Sequence, residues 1–312
     1  MAASLLSILV FPGFLFLLGF ALLSEQLDRF LYARMQNRMG PPWFQPLADV
    51  IKLAAKEDTI PDGADRTVFR MMPVFALTSV VTAVFYVPIW SKNALSSFVG
   101  DLVVVLYLLT IPTLTFFLGG WFSRSPYSLI GAARAITQLF AYEIPLLLAI
   151  LSPAMLAGSW SLSEIARFYS GRLHLIPVNV VGFGVALVAL LGKLERVPFD
   201  SPEAETEIVA GSLTEYGGRY LALFRLCVDV EMVVGAALLA AVFLPFGLEL
   251  HPALTFCLFT IKVEGIIFLL SLTRAVVARL RIDQTIDFCW KYLAPIALLQ
   301  LVLNLVLKGY VK

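Results

Sequence analysis

Residues 99–122, VGDLVVVLYLLTIPTLTFFLGGWF, form an apolar window interrupted by a single charge, Asp101. A helix of about 20 such residues crosses a hydrocarbon core of roughly 30 Å. Comparable windows fall near 5–23, 69–90, 134–157, 177–194, 221–246, 253–273 and 288–307. The chain has 312 residues, of which 60% are hydrophobic and 14% charged, outside the range of a soluble globular domain. The fold class is therefore all-α, a polytopic membrane protein with about eight transmembrane helices forming one domain over 1–312. The first window lacks a basic leader and is followed by SEQLDR (24–29) rather than a cleavage site, so it reads as a retained span.

Lys and Arg set the expected orientation. Alternate connections hold Arg29, Arg34, Arg38, Lys52, Lys56, Arg66 and Arg70, then Arg124 and Arg134, then Lys193, Arg196, Arg219 and Arg225, then Arg274, Arg279, Arg281 and Lys291. The opposite side holds Lys92, Arg167, Arg172, Lys308 and Lys312. By the positive-inside rule the basic loops face inward and both termini outward. Two inner loops stand out, 24–68 and the acidic 195–220.

Net charge near +1 and dispersed basic residues give no nucleic-acid footprint. Cys227, Cys257 and Cys289 have no disulfide or metal spacing, and His174 and His251 read as ordinary loop residues. No phosphate loop, nucleophile constellation or cofactor fingerprint occurs. Any redox chemistry belongs to other chains.

Ionisable groups at membrane depth cost at least about 2.5 kcal/mol on insertion scales, so each needs a partner, a cavity or a task. Counting from the inner edge at about 1.5 Å per residue puts Glu143 about 13 Å deep and Glu264 about 15 Å deep, with Glu231 at a similar level. Two explanations stand for them. They are structural ion pairs, as Arg225 and Asp229 at spacing four suggest, with Lys262 meeting Glu143 or Glu231 across helices. Or they are a buried proton or cation path, in which desolvated carboxylates take up and release protons near neutral pH. Pro145, two residues after Glu143, is expected to kink its helix and free a carbonyl to line a wet cavity. Arg134, Gln138 and Tyr142 recur at spacing four, a polar stripe leading inward.

The stretch ERVPFDSPEAETEIVAGSLTEYGG (195–218) gathers Glu195, Asp200, Glu203, Glu205, Glu207 and Glu215. Asp200, Pro202 and Glu203 resemble a helix start near 201, which would set Glu203 and Glu207 on one face. Such a cluster holds protons or faces a basic partner; a solvated acidic turn is the plainer alternative. WFQPLADVIKLAAKED (43–58) alternates as an amphipathic helix near 45–57, too short to span, lying along the membrane surface.

These stretches carry a resemblance. DRFLYARMQNRMGP (28–41), QPLADVIKLAAKED (45–58), AYEIP (141–145), VPFDSPEAETEIVAGSLTEYGG (197–218) and RLRIDQTIDFCWKYLAP (279–295) resemble, in order, the signatures of the complex I membrane subunit at the foot of the hydrophilic arm, the NuoH type. GPPWFQP (40–46) is shorter than the complex I pattern, and Ala278 stands where a proline is usual. In these loops the chain is more similar to counterparts in energy-converting nickel–iron hydrogenases, formate hydrogenlyase and ferredoxin-linked sulfur-reducing complexes.

The resemblance implies a non-catalytic subunit that holds no redox cofactor, anchors an electron-transfer arm and couples it to H⁺ or Na⁺ movement. It implies partners: an iron–sulfur small subunit carrying clusters, a nickel–iron-hydrogenase-like large subunit on the inner face, and neighbouring ion-pumping membrane subunits. The implied path comprises Glu143, Asp200, Glu203, Glu205, Glu207 and Glu215, to which the span residues Asp229, Glu231, Lys262 and Glu264 are added. The implied arm interface comprises Arg34, Gln36, Arg38, Lys52, Lys56, Arg279, Arg281 and Asp283, with Gln284, Trp290 and Lys291 in the same last loop. A quinone-chamber subunit and a stand-alone secondary transporter are the competing readings.

Overall fold

The computed structural model describes residues 8–89, 93–248 and 250–310. Lys92 and Lys312, the start of the 5–23 window and the side chain of Glu205 lie outside the described set. Among the described residues the regular structure is entirely helical: α1 (Phe14–Met35), α2 (Gln45–Ala54), α3 (Arg66–Ala83), α4 (Asp101–Phe122), α5 (Pro126–Ala157), α6 (Leu162–Ser170), α7 (Val180–Lys193), α8 (Gly218–Phe243), α9 (Pro252–Val276), α10 (Ile282–Phe288) and α11 (Ala294–Lys308). The polytopic all-α expectation is borne out.

Seven helical runs among the described residues are long and apolar enough to cross a bilayer: Arg66–Tyr86, Asp101–Phe122, Pro126–Ala157, Leu173–Lys193, Gly218–Phe243, Pro252–Val276 and Ile282–Lys308. The last joins α10 to α11 through a π-helical segment, Cys289–Leu293. Helix α1 has 22 residues, a sufficient length, but carries Glu25, Asp28 and Arg29 in its second half. The sequence suggests an inner loop from 24, whereas the helix continues to Met35. The reason is that those charges find partners within the fold, so they do not force the chain out into water.

Helix α8 is the hub. Every residue from Asp229 to Phe243 is buried, as the Ala-, Val- and Leu-rich run from Met232 onward, apolar all round, demands. Around it α3 packs on α4, and α5 packs on both α7 and α11. Helices α9 and α11 bury only one stripe and expose Ile261, Phe268, Leu299 and Val306, faces suited to lipid or to another membrane helix. At the end of the bundle away from the acidic loop, Asn304 Nδ2 donates to Ser152 Oγ (2.8 Å) and Asn179 Oδ1 (2.6 Å), tying α11 to α5 and to the start of α7.

Helix α2 matches the expected amphipathic element, with Pro46 its one buried residue. Helix α3 begins at Asp65, whose carboxylate accepts from Thr67 N (3.0 Å) and Val68 N (3.2 Å) and satisfies two orphan donors. Helix α5 runs unbroken for 32 residues through Pro145 and Pro153. Pro145, where a kink is expected, is buried within this continuous helix.

Candidate functional site

Lys193 ends α7 and is buried, 1% exposed. Its ammonium lies 3.6 Å from Glu143 Oε2 of α5 and 4.0 Å from Glu231 Oε1 of α8, and 5.5 Å from the Tyr142 ring centroid. Three helices thus converge on two acids and one base. None of the three facing atoms has a hydrogen-bond partner among the described residues. The pairs are coupled electrostatically without being locked by hydrogen bonds, an arrangement in which a proton or a charge changes place at low geometric cost.

Lys193 and Glu231 also line a cavity of about 880 Å³. Its walls carry six carboxylates, Glu25, Glu195, Asp200, Glu203, Asp229 and Glu231, and six cations, Arg29, Lys193, Arg196, Arg225, Arg274 and Arg279. A single water needs roughly 10–15 Å³, so this polar space is roomy enough for a connected chain of them.

The acidic loop is pinned over α5 by residues of the polar stripe. Gln138 Nε2 donates to Gly192 O (2.8 Å) and Phe199 O (2.7 Å), while its Oε1 accepts from Ser201 Oγ (2.9 Å). Arg134 pairs with Glu207 at 2.8 Å, and that hydrogen bond, with the charges of Arg134 and Arg279, holds the Glu207 carboxyl below its usual range. Tyr142 OH meets Thr113 Oγ1 at 3.0 Å. The stripe therefore works as a clamp for the loop and for α4. Close backbone approach completes the docking. Gly211 has φ +55°, and a Cβ there would sit 1.9 Å from Pro202 O; a Cβ on Gly131 of α5 would sit 2.3 Å from Ser212 N.

The helix expected at about 201 is reduced to one turn, Glu205–Ile208, with Ala204 in the N-cap position and no side-chain cap. Asp200, the anticipated cap, is instead bound by Arg279 at 2.9 Å, a charge-assisted contact that outcompetes capping. Arg279 also reaches Glu207 at 3.5 Å, so this residue of the expected arm interface belongs to the loop clamp.

A second charged group fastens α1 and α2 at the cavity wall. Arg196 pairs with Glu25 at 2.6 Å and with Asp28. Asp28 is also held by Arg274 (3.1 Å) and Ser271, and Arg29 bridges Glu25 and Asp49, each at 2.8 Å. Burial works against the Arg196 charge, but Glu25 and Asp28 overcome it and keep the guanidinium pKa above its ordinary value.

The structure separates several residues that the sequence places together. Lys262 reaches neither Glu143 nor Glu231: its ammonium bonds Phe246 O and lies 4.0 Å from the Phe246 ring centroid. Glu264 stands apart from Glu143 and Glu231, accepting from Ser24 Oγ at 2.6 Å between α1 and α9. Arg225 is exposed and forms no ion pair with Asp229, which lines the cavity instead. Glu215 is half-buried outside the cavity wall. Arg34, Arg38, Lys52, Lys56, Arg281 and Asp283 are exposed and Gln36 half-buried, beside the exposed apolar Met39, Trp43 and Phe44. His251 Nδ1 accepts from Ala253 N at the start of α9 (3.4 Å).

Lys193, Glu25, Asp28 and Arg196 join the site without being singled out by the sequence. Lys193 falls inside the 177–194 window, and a lysine within an apolar run is the available signal. Glu25 and Asp28 give none, because their local context is that of a charged loop.

An all-α membrane bundle with a charged chamber, roomy enough for a chain of waters and ending at a buried acid–base–acid group, defines the class. A family model described as NADH dehydrogenase matches residues 7–305. The chain is 34% identical over 303 residues to the NuoH-type NADH-quinone oxidoreductase subunit of Brevibacillus brevis, covering 94% of this chain and 90% of that one. It is 39% identical over 304 residues to the corresponding NADH-quinone oxidoreductase subunit of Dehalococcoides mccartyi, covering 92% and 84%. The chain belongs to this NuoH-type family of membrane proteins. A solved chain from the membrane-bound sulfane sulfur reductase, an archaeal respiratory membrane complex, shares the fold with a TM-score of 0.86 at 24% identity, covering 97% of this chain and 100% of that one.

Proposed function

We propose that this chain is the membrane-anchor and coupling subunit of a complex I-like, ferredoxin-linked respiratory assembly of the membrane-bound hydrogenase or sulfur reductase type. It links electron transfer in a hydrophilic arm to H⁺ or Na⁺ translocation through buried carboxylates. The observation that carries this reading is the charged cavity that runs from the acidic loop to Lys193 and Glu231, with Glu143 behind them. A redox step beside the loop changes the local charge, and the loosely paired group responds by shifting a proton or an ion.

The ends of the bundle are assigned accordingly. The loop end, with exposed Arg34, Arg38, Lys52, Lys56 and Arg281 around Met39, Trp43 and Phe44, faces inward and receives the arm, and both termini face outward. The occupants are an iron–sulfur small subunit, which carries the clusters, and a nickel–iron-hydrogenase-like large subunit. The exposed stripes of α9 and α11 fit neighbouring ion-pumping subunits or lipid.

A second reading, a quinone-chamber subunit, is favoured by the names of the curated relatives. The twelve charged side chains on the cavity wall suit a polar headgroup or water better than an isoprenoid tail.

Gentle extraction of the assembly through a terminal tag tests the proposal. Co-purifying iron with a hydrogenase-like large subunit is the expected result, and quinone competition in that assembly decides between the two readings. An iron-free chain that purifies alone and moves ions contradicts both and favours a stand-alone transporter.

A further inference from the structure

Glu195 lies two residues beyond α7, just ahead of the motif stretch 197–218. It is 8% exposed, lines the cavity, and its Oε1 has no hydrogen-bond partner among the described residues. Its backbone is left-handed, with φ +50°. That conformation is uncommon for a glutamate, and it persists only where the surroundings over-determine it. On one side, Arg196 is committed to Glu25 and Asp28; on the other, Leu194 N is bonded to Leu190 O (3.0 Å). The chain between two fixed points thus turns this one carboxylate into the cavity, between the loop and the buried group.

We propose that Glu195 is a proton-carrying residue that connects the acidic loop to the Glu143–Lys193–Glu231 group. This rests on the coupling reading above and narrows it, since it makes the ion a proton at this step. Glu195 shares the cavity wall with the other eleven charged groups named above, and Glu203 of the loop and Glu231 of α8 are the two whose charges act on its carboxyl. The step is an exchange without net chemistry. The proton of the neutral Glu195 carboxyl leaves for the Glu231 carboxylate beside Lys193, and a proton given up by Glu203 through cavity water then restores the Glu195 acid, returning Glu195 to its starting charge.

Electrostatics support the assignment. Burial, with the negative charges of Glu203 and Glu231 adding to it, pushes the Glu195 carboxyl well above its ordinary value. The neutral acid is therefore the favoured form between transfers. Hard cations are held by charged carboxylate oxygens, so a carboxyl kept neutral suits a proton better than Na⁺.

The test uses the whole assembly in closed membrane vesicles, reading ions moved per electron transferred across a pH series, with Glu195→Gln, Glu195→Asp and Glu231→Gln compared with wild type. Glu195→Gln keeps the shape and removes titration, so the ratio is expected to fall by about tenfold or more and its pH dependence to flatten, with Glu195→Asp restoring most of both. Infrared difference spectra during turnover are expected to lose one carboxylic-acid carbonyl band in Glu195→Gln. An unchanged ratio, pH profile and spectrum in Glu195→Gln, while Glu231→Gln loses transport, overturns the role of Glu195 and leaves the coupling reading standing. Unchanged transport in both variants overturns both.

Discussion

The Lys193 ammonium and Glu143 Oε2, on different helices and 50 positions apart in the chain, lie 3.6 Å from each other, and neither atom has a hydrogen-bond partner among the described residues. Glu231 completes the group at 4.0 Å. All three side chains are largely shielded from solvent, at 1%, 16% and 1% exposure for Lys193, Glu143 and Glu231, so the charges are tolerated only as a set.

Removing the base alone leaves two acids in a site shielded from bulk water. Lys193→Met is expected to lower stability by about 3–5 kcal/mol, the cost of an uncompensated buried charge. Adding Glu143→Gln and Glu231→Gln to it is expected to recover most of the loss. Thermal unfolding of the detergent-extracted protein measures both, and equal losses in the single and triple variants would argue against the pairing.

The Arg196 clamp makes a parallel prediction for α1. Arg196→Ala leaves Glu25 with Arg29 alone and Asp28 with Arg274 and Ser271, with an expected loss of about 1.5–3 kcal/mol for the charge-assisted contacts removed. Arg196→Lys is expected to rescue it only in part, because an ammonium cannot serve two carboxylates with the geometry of a guanidinium fork. Cysteine accessibility at positions introduced along α1 reads the release of the helix; unchanged accessibility in Arg196→Ala would contradict the clamp.

Gly211 and Gly131 set a steric limit on the acidic loop. A methyl group at Gly211 meets the Pro202 carbonyl at 1.9 Å in a left-handed backbone. Gly211→Ala is expected to undock the loop at a cost of about 2 kcal/mol or more. Limited proteolysis between 200 and 215 reports it, and wild-type resistance to cleavage would refute the close approach.

Glu195 gives a pH dependence with a defined sign. Its folded pKa lies well above the ordinary value of 4.5. Its stabilising contribution is therefore full below about pH 4.5 and is lost as pH rises through the folded pKa. The difference in melting temperature between Glu195→Gln and wild type is expected to grow in favour of the variant as pH rises above the ordinary value of 4.5. A constant difference would mean that Glu195 is not held neutral.

Much of this is legible in the sequence, for physical reasons that differ by element. The apolar windows read correctly because the bilayer imposes a length on any run of hydrophobic residues. The amphipathic α2 reads correctly because its periodicity is local. Helix α1 reads short because Glu25 and Asp28 look like a loop until Arg196, more than 160 positions away, is brought to them. Asp200 looks like a helix cap because local signals favour it, and a tertiary contact with Arg279 takes it away. Lys193 holds the place that the sequence offers to Lys262 for the same reason: depth along a helix follows from counting, but the face and the partner follow only from packing.

The central claim is that the Glu143–Lys193–Glu231 group carries the coupled ion. The most direct measurement is ion uptake per electron transferred by the complete assembly carrying Glu143→Gln, in sealed vesicles driven at a matched turnover rate. An assembled complex whose uptake per electron collapses is the predicted result; wild-type uptake in that variant would contradict the claim.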